Sequence, residues 1–243
     1  MKRRPLKRIV IALFVSLAVL IAVFLLYTGD YYRADEAATA VMNADDSVRI
    51  EKNSDCIAFI PENPSAGFIF YPGGKVEHTA YAPLMRALAE ENILCVLAEM
   101  PFNLAVFDVD AASDYSDRYP QTERWFIGGH SLGGSMAASH AAKHPGDYEG
   151  LALLAAYSTA DLKDAGFDVL SVYGSEDHVL SMEKYKKYRT NLPENTVESV
   201  IEGGCHAGFG LYGPQDGDGT PSISAEEQIQ RTASLITEMI LHQ

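Results

Sequence analysis

Hydrophobic and polar positions follow three rhythms along this chain. Residues 9–27 form an unbroken, uncharged apolar run, about the length a helix needs to cross a bilayer. Residues 30–43 are polar with helical character. From residue 47 onward, short runs rich in β-formers take over, and 47–51, 56–60 and 67–71 read as three strands, the last ending at the breaker Pro72-Gly73-Gly74. Helices and strands then alternate. Leu84 and Leu88 give helical spacing to 81–90, 93–98 is a buried strand, 111–118 is helical and 125–128 is a strand. A helix over 132–143 precedes strands at 151–155 and 168–173. A helix at 182–189, a strand at 196–201 and an amphipathic helix at 225–241 complete the chain. This order predicts the α/β class, with a mainly parallel sheet covered by helices on both faces.

At 243 residues, 47% of them hydrophobic, the chain can bury one sizeable core and still carry an appendage. Lys2, Arg3, Arg4, Lys7 and Arg8 precede the apolar run, and positive flanks stay inside. The expected organisation is a cytoplasmic basic head (1–8), a transmembrane signal anchor (9–27), a stalk (28–46) and an extracytoplasmic domain (47–243). Cleavage as a signal peptide, releasing a secreted domain, is one alternative, although Tyr27-Thr28-Gly29-Asp30 offers no convincing small-x-small site; an ordinary buried helix is the other.

The net charge is −14: 33 Asp and Glu stand against 19 Lys and Arg, five of which lie in the head. So acidic a domain argues against nucleic acid as a partner and against docking on anionic lipid through its own surface. Three cysteines, Cys56, Cys95 and Cys205, imply no disulfide framework, and no Cys or His spacing suggests a metal site. The sequence carries no signal for an oligomeric state.

In an open parallel sheet, ligands sit beyond the carboxyl ends of the strands, so the residues after each strand are the informative ones. After 125–128 comes Gly129-His130-Ser131-Leu132-Gly133, a G-x-S-x-G pattern in the strand-turn-helix setting that exposes a serine nucleophile on a sharp turn. A serine hydroxyl needs a base. His206, in the Gly-rich loop after the strand at 196–201, fits best; His130, His140, His144 and His242 read as packing or surface residues, and His78 and His178 are weaker still. Asp177, after the strand at 168–173, is the carboxylate that orients His206, with Glu176 as its rival. The order Ser131, Asp177, His206 is that of α/β-hydrolases. Leu132 N–H at the helix start, and Gly74 or Lys75 N–H in the loop after 67–71, are the expected oxyanion donors.

With these positions filled in order, residues 47–243 resemble the α/β-hydrolase superfamily. Within it, YPGGKV, MPFNLAVF, GGHSLGG, YGSEDHV and GGCHAGFG are similar to the compact dienelactone-hydrolase-like and carboxylesterase branch. The resemblance implies hydrolysis through an acyl-enzyme, with no metal or organic cofactor. Dienelactone hydrolase proper uses a cysteine nucleophile; Ser131 in that position favours general ester hydrolysis over the lactone.

The short span between residues 155 and 167 leaves no room for a cap domain, which favours small or accessible esters. The expected function is therefore cleavage of a small-molecule carboxylic ester at the outer face of a membrane. Acyl transfer, thioester cleavage and perhydrolysis use the same triad and remain alternatives, and a non-catalytic binding protein of this fold is the alternative from another class. Tyr157, Phe102 and Phe209 are candidates for an acyl pocket. The segment Gln215-Asp216-Gly217-Asp218-Gly219 has the look of a calcium loop but lacks the other ligands of an EF-hand, and reads as a mobile turn.

Overall fold

A computed structural model describes residues 3–43 and 47–241. Met1 and Lys2 of the expected head, 44–46 of the expected stalk, and His242 lie outside the described residues. The chain divides into two compact units, Met1–Tyr31 and Tyr32–Gln243. The first is helix α1, Arg3–Gly29, whose stretch Lys7–Gly29 is long and apolar enough to cross a membrane, with a mean hydropathy of 3.3.

In the second unit, residues from Tyr32 to Asn43 do not stand apart as a stalk. Tyr32 N–H donates to the Lys75 carbonyl and Asp35 N–H to that of Leu211. Asp35 caps the short helix α2, Glu36–Ala40, by accepting the Ala38 N–H at 2.7 Å, and Ala38 is fully buried. The polar pattern that suggested a stalk is the outer side of a segment anchored through its backbone.

Among the described residues, eight strands form one sheet: β1 Val48–Lys52, β2 Cys56–Pro61, β3 Ala66–Tyr71, β4 Ile93–Ala98, β5 Trp125–His130, β6 Gly150–Leu154, β7 Asp168–Gly174 and β8 Val197–Ile201. Their order is β1-β2-β4-β3-β5-β6-β7-β8; β2 is antiparallel to both of its neighbours, β1 and β4, and every pair from β4 onward is parallel. The central strands are apolar throughout because both faces are covered. In β3 and β4, Phe68, Phe70, Cys95 and Leu97 enter one core layer, while Ile69, Tyr71, Leu94 and Val96 enter the other. Alternate side chains of a strand point to opposite faces, so one pair of strands feeds both layers.

Helices α3, Ala82–Glu90, and α6, Ala225–Leu241, cover the first face through Leu84, Leu88, Ile229, Ile236 and Ile240. Helix α4, Leu132–Lys143, covers the second through Ala137, Ala138 and Ala141, whose small side chains let it lie close to the sheet. The remaining helix is α5, Met182–Tyr188. The expected helix over 111–118 is two 3₁₀ turns, Ala111–Asp114 and Ser116–Arg118. Tyr115 is buried there, its hydroxyl donates to the Asp55 carbonyl, and Arg118 grips the Asp55 carboxylate, so tertiary anchors set the path of this segment. Residues 155–167, between β6 and β7, contain no helix.

Candidate active site

Strand β5 runs directly into α4 at Ser131, which has φ 52° and ψ −121°. That left-handed backbone costs a non-glycine residue roughly 1–3 kcal/mol and is held from both sides. Ser131 N–H donates to the Leu154 carbonyl on β6 at 2.8 Å, and its carbonyl accepts from Ser135 N–H. The glycines of the motif make the turn possible by close approach: a Cβ on Gly133 would lie 2.2 Å from the Pro72 carbonyl oxygen, and one on Gly129 would lie 2.7 Å from the Gly133 backbone.

Asp177 and His206 come from the loops after β7 and β8. His206 Nδ1 lies 2.9 Å from Asp177 Oδ2, and both side chains are almost completely buried. A carboxylate only accepts, so Nδ1 carries the proton and Nε2 is left to act as a base. The other carboxylate oxygen, Oδ1, accepts the N–H groups of Val179 and Leu180 at 2.9 and 2.8 Å, which fixes the acid independently of the histidine. The rival Glu176 instead accepts the Ser175 hydroxyl.

Ser131 and His206 line one cavity of about 290 Å³, together with Leu132, Tyr157, Leu180 and Lys184. Among the described residues no hydrogen bond joins the Ser131 hydroxyl to His206; such bonds are often long in empty sites and tighten with substrate. Of the aromatic residues expected in an acyl pocket, Tyr157 lines the cavity. Phe209 is buried against His130, and Phe102 is half exposed on a backbone with φ 57°.

The two expected oxyanion loops touch. A Cβ on Gly74 would lie 2.8 Å from Leu132 Cδ2, and Leu132, as the first residue of α4, has no helical carbonyl for its N–H. Lys75 is a correction: its N–H donates to the Asn103 carbonyl at 2.8 Å, which removes it as an oxyanion donor and leaves Gly74.

Tyr81 escapes detection in the sequence. It is fully buried, and its hydroxyl accepts the Gly73 N–H at 3.1 Å and lies 2.7 Å from His130 Nδ1. The imidazoles of His130 and His206 are 4.6 Å apart between centroids. Burial, and then repulsion from His206, hold His130 well below the ordinary imidazole range, so it stays neutral beside the base. Of the remaining histidines, His140 bonds to Asp110 and to the Tyr148 hydroxyl. Asp110, His140 and His144 are the group of potential metal ligands among the described residues, but the Lys143 ammonium already occupies the Asp110 carboxylate at 3.2 Å. Cys205 faces a larger cavity of about 470 Å³ behind the histidine loop, and its thiol is pushed up to about 11 by burial and then by the charge of Asp218, which leaves it protonated and unreactive.

Comparisons with known proteins bear on the family and the fold. Residues 67–230 match the family model described as the alpha/beta hydrolase family. TT1662 from Thermus thermophilus superposes with a TM-score of 0.59 at 16% identity, covering 79% of this chain and 98% of that one. Est1E from Butyrivibrio proteoclasticus gives 0.58 at 14%, covering 82% and 100%, and a dienelactone hydrolase from Anabaena variabilis gives 0.59 at 12%, covering 81% and 98%. No curated protein matches the sequence. At these identities the solved structures attest the fold, and the family model covers well over half of the chain. The chain belongs to the α/β-hydrolase family.

Proposed function

We propose that this hydrolase is a membrane-anchored serine enzyme that cleaves small carboxylic esters through an acyl-enzyme. The observation that carries the reading is the buried His206–Asp177 pair on the same cavity as Ser131, a serine whose backbone is held in a strained turn. Ser131 Oγ attacks the ester carbonyl carbon and passes its proton to His206 Nε2. The N–H groups of Leu132 and Gly74 receive the oxyanion. Collapse breaks the bond to the alcohol oxygen, which takes the proton from His206. Water then attacks the acyl-enzyme, gives a proton to His206 and releases the acid, and Ser131 recovers its proton. Asp177 keeps the imidazole aligned and offsets its positive charge. Helix α1, with its basic flank, serves as the anchor and places the enzyme on the outer face.

The test uses the full chain in detergent beside a Ser131→Ala control, exposed to a fluorophosphonate probe and to aryl esters of increasing acyl length. Labelling and turnover that vanish in the control support the reading. A well-folded wild-type protein that neither labels nor turns over any ester sinks it, and a binding role for the cavity becomes the one to pursue.

A further inference from the structure

The loop 213–222, whose segment 215–219 has the composition of a mobile turn, reaches both catalytic loops at once. Asp218 Oδ2 accepts the N–H of Ala207, the residue after His206, at 2.8 Å. Its Oδ1 accepts the N–H of His178, the residue after Asp177, at 3.3 Å, and that of Gly219 at 2.8 Å. Gly219 itself lies on the turn that carries the acid: a Cβ there would sit 2.0 Å from the Glu176 carbonyl oxygen. Ser222 N–H donates to Gly203 at the root of the histidine loop. The loop is thereby fastened to both sides of the His206–Asp177 pair.

We propose that Asp218 is a positioning residue, a carboxylate strap whose two oxygens hold the loops of Asp177 and His206 in register; this rests on the serine-hydrolase reading above. The chemistry explains why aspartate stands here. Each oxygen takes backbone N–H groups from a different loop, and burial, which alone would raise the acid, is outweighed by these donors, so the group stays ionised with both oxygens as acceptors. Asparagine has the same shape but one acceptor oxygen, and its NH₂ would face an N–H of one loop. The same donors also explain why this segment is not a calcium loop: the carboxylate is already occupied by backbone hydrogens, which a cation would have to displace.

Catalysis depends on the imidazole meeting the serine within fractions of an ångström, while the substrate cavity is built by other residues. Loss of the strap should therefore act on turnover rather than on binding. In the full-length enzyme, Asp218→Asn is expected to lower kcat at least tenfold, with KM within twofold and a melting midpoint within a few degrees of wild type. Asp216→Asn, two residues away with no hydrogen bond to its carboxylate among the described residues, is expected to leave kcat within twofold, and calcium or a chelator to change neither variant. Gly219→Ala pushes the loop off the Glu176 carbonyl without touching the charge, and is expected to lower kcat in the same manner. A folded Asp218→Asn enzyme with kcat within twofold of wild type overturns the proposal. So does calcium-dependent activity or melting in the wild type. Should Asp218→Asn fail to fold, Gly219→Ala decides: a kcat within twofold of wild type overturns the proposal, and a tenfold fall with unchanged KM upholds it. The wild type's fluorophosphonate labelling is read in the same samples. Labelling without Asp218 dependence refutes the strap alone, whereas no labelling refutes the serine-hydrolase reading and the strap with it.

Discussion

Tyr81 and His130, 49 residues apart in sequence, share a 2.7 Å hydrogen bond beneath the candidate site. Because the Tyr81 hydroxyl also accepts the Gly73 N–H, it has one proton to give, and His130 Nδ1 receives it. The residue before the proposed nucleophile Ser131 is thus tied to the residue before the proposed oxyanion donor Gly74. Tyr81→Phe keeps the ring and removes the tie, leaving a buried N–H and a buried ring nitrogen without partners. The expected cost is about 1–3 kcal/mol of stability, seen as a lower melting midpoint, with a fall in kcat as the oxyanion loop loosens.

Gly74→Ala addresses the oxyanion loop directly. Its Cβ would lie 2.8 Å from Leu132 Cδ2 and 3.3 Å from Leu132 Cβ, so the Leu132 side chain must yield, and the prediction is that the two N–H groups proposed for the oxyanion lose their alignment. The loss of one such donor lowers kcat by roughly a hundredfold or more. Ester kinetics should show the loss in kcat with KM little changed; a rise in KM with kcat unchanged would assign this loop to substrate grip instead.

Asp177→Asn tests the tautomer argument. The amide can still accept from Val179 and Leu180 through its oxygen, but then presents NH₂ to His206 Nδ1 and turns the imidazole to the wrong tautomer. A drop in kcat of about 10⁴ is expected, with fluorophosphonate labelling slowed in parallel.

The dependence of stability on pH follows from three histidines. Burial, in each case the leading cause, holds His78, His130 and His140 below the ordinary imidazole range. Each remains neutral in the fold while the unfolded chain takes up a proton below about pH 6.5. Their contribution is complete above that value and is lost as pH falls through the window beneath it, at up to about 1.4 kcal/mol per pH unit for each group. Denaturant melts at pH 7.5 and 5.5 should show this loss. His130→Gln, measured the same way, should lose less between the two pH values than wild type does.

The sequence made the strands and the Ser131 turn legible because they depend on local pattern: continuous apolar runs for strands buried on both faces, and glycines where a Cβ has no room. The chain order of Ser131, Asp177 and His206 added the other two members of the proposed triad. What escaped depends on contacts between distant segments. The 3₁₀ turns near Tyr115 follow from the grip of Arg118 on Asp55, 63 residues away. The use of Lys75 N–H by Asn103 depends on two loops meeting, and no composition rule reports it. Tyr81 looks like any aromatic residue at a helix start, and Asp218 like any acid in a glycine-rich turn, until the sheet brings their partners beside them.

The bare connection over residues 155–167 has a consequence for the order of events in a catalytic cycle. With no helix in this connection to swing across Ser131, the ester of the proposed reaction would meet its nucleophile without waiting for a domain to close, and the departing alcohol would need no door to open. An acylated Ser131 would stand next to bulk solvent, where water outnumbers every rival acceptor. On the proposed reading such an architecture would favour hydrolysis by supply rather than by selection, and any acyl transfer would have to be driven by the concentration of the receiving alcohol.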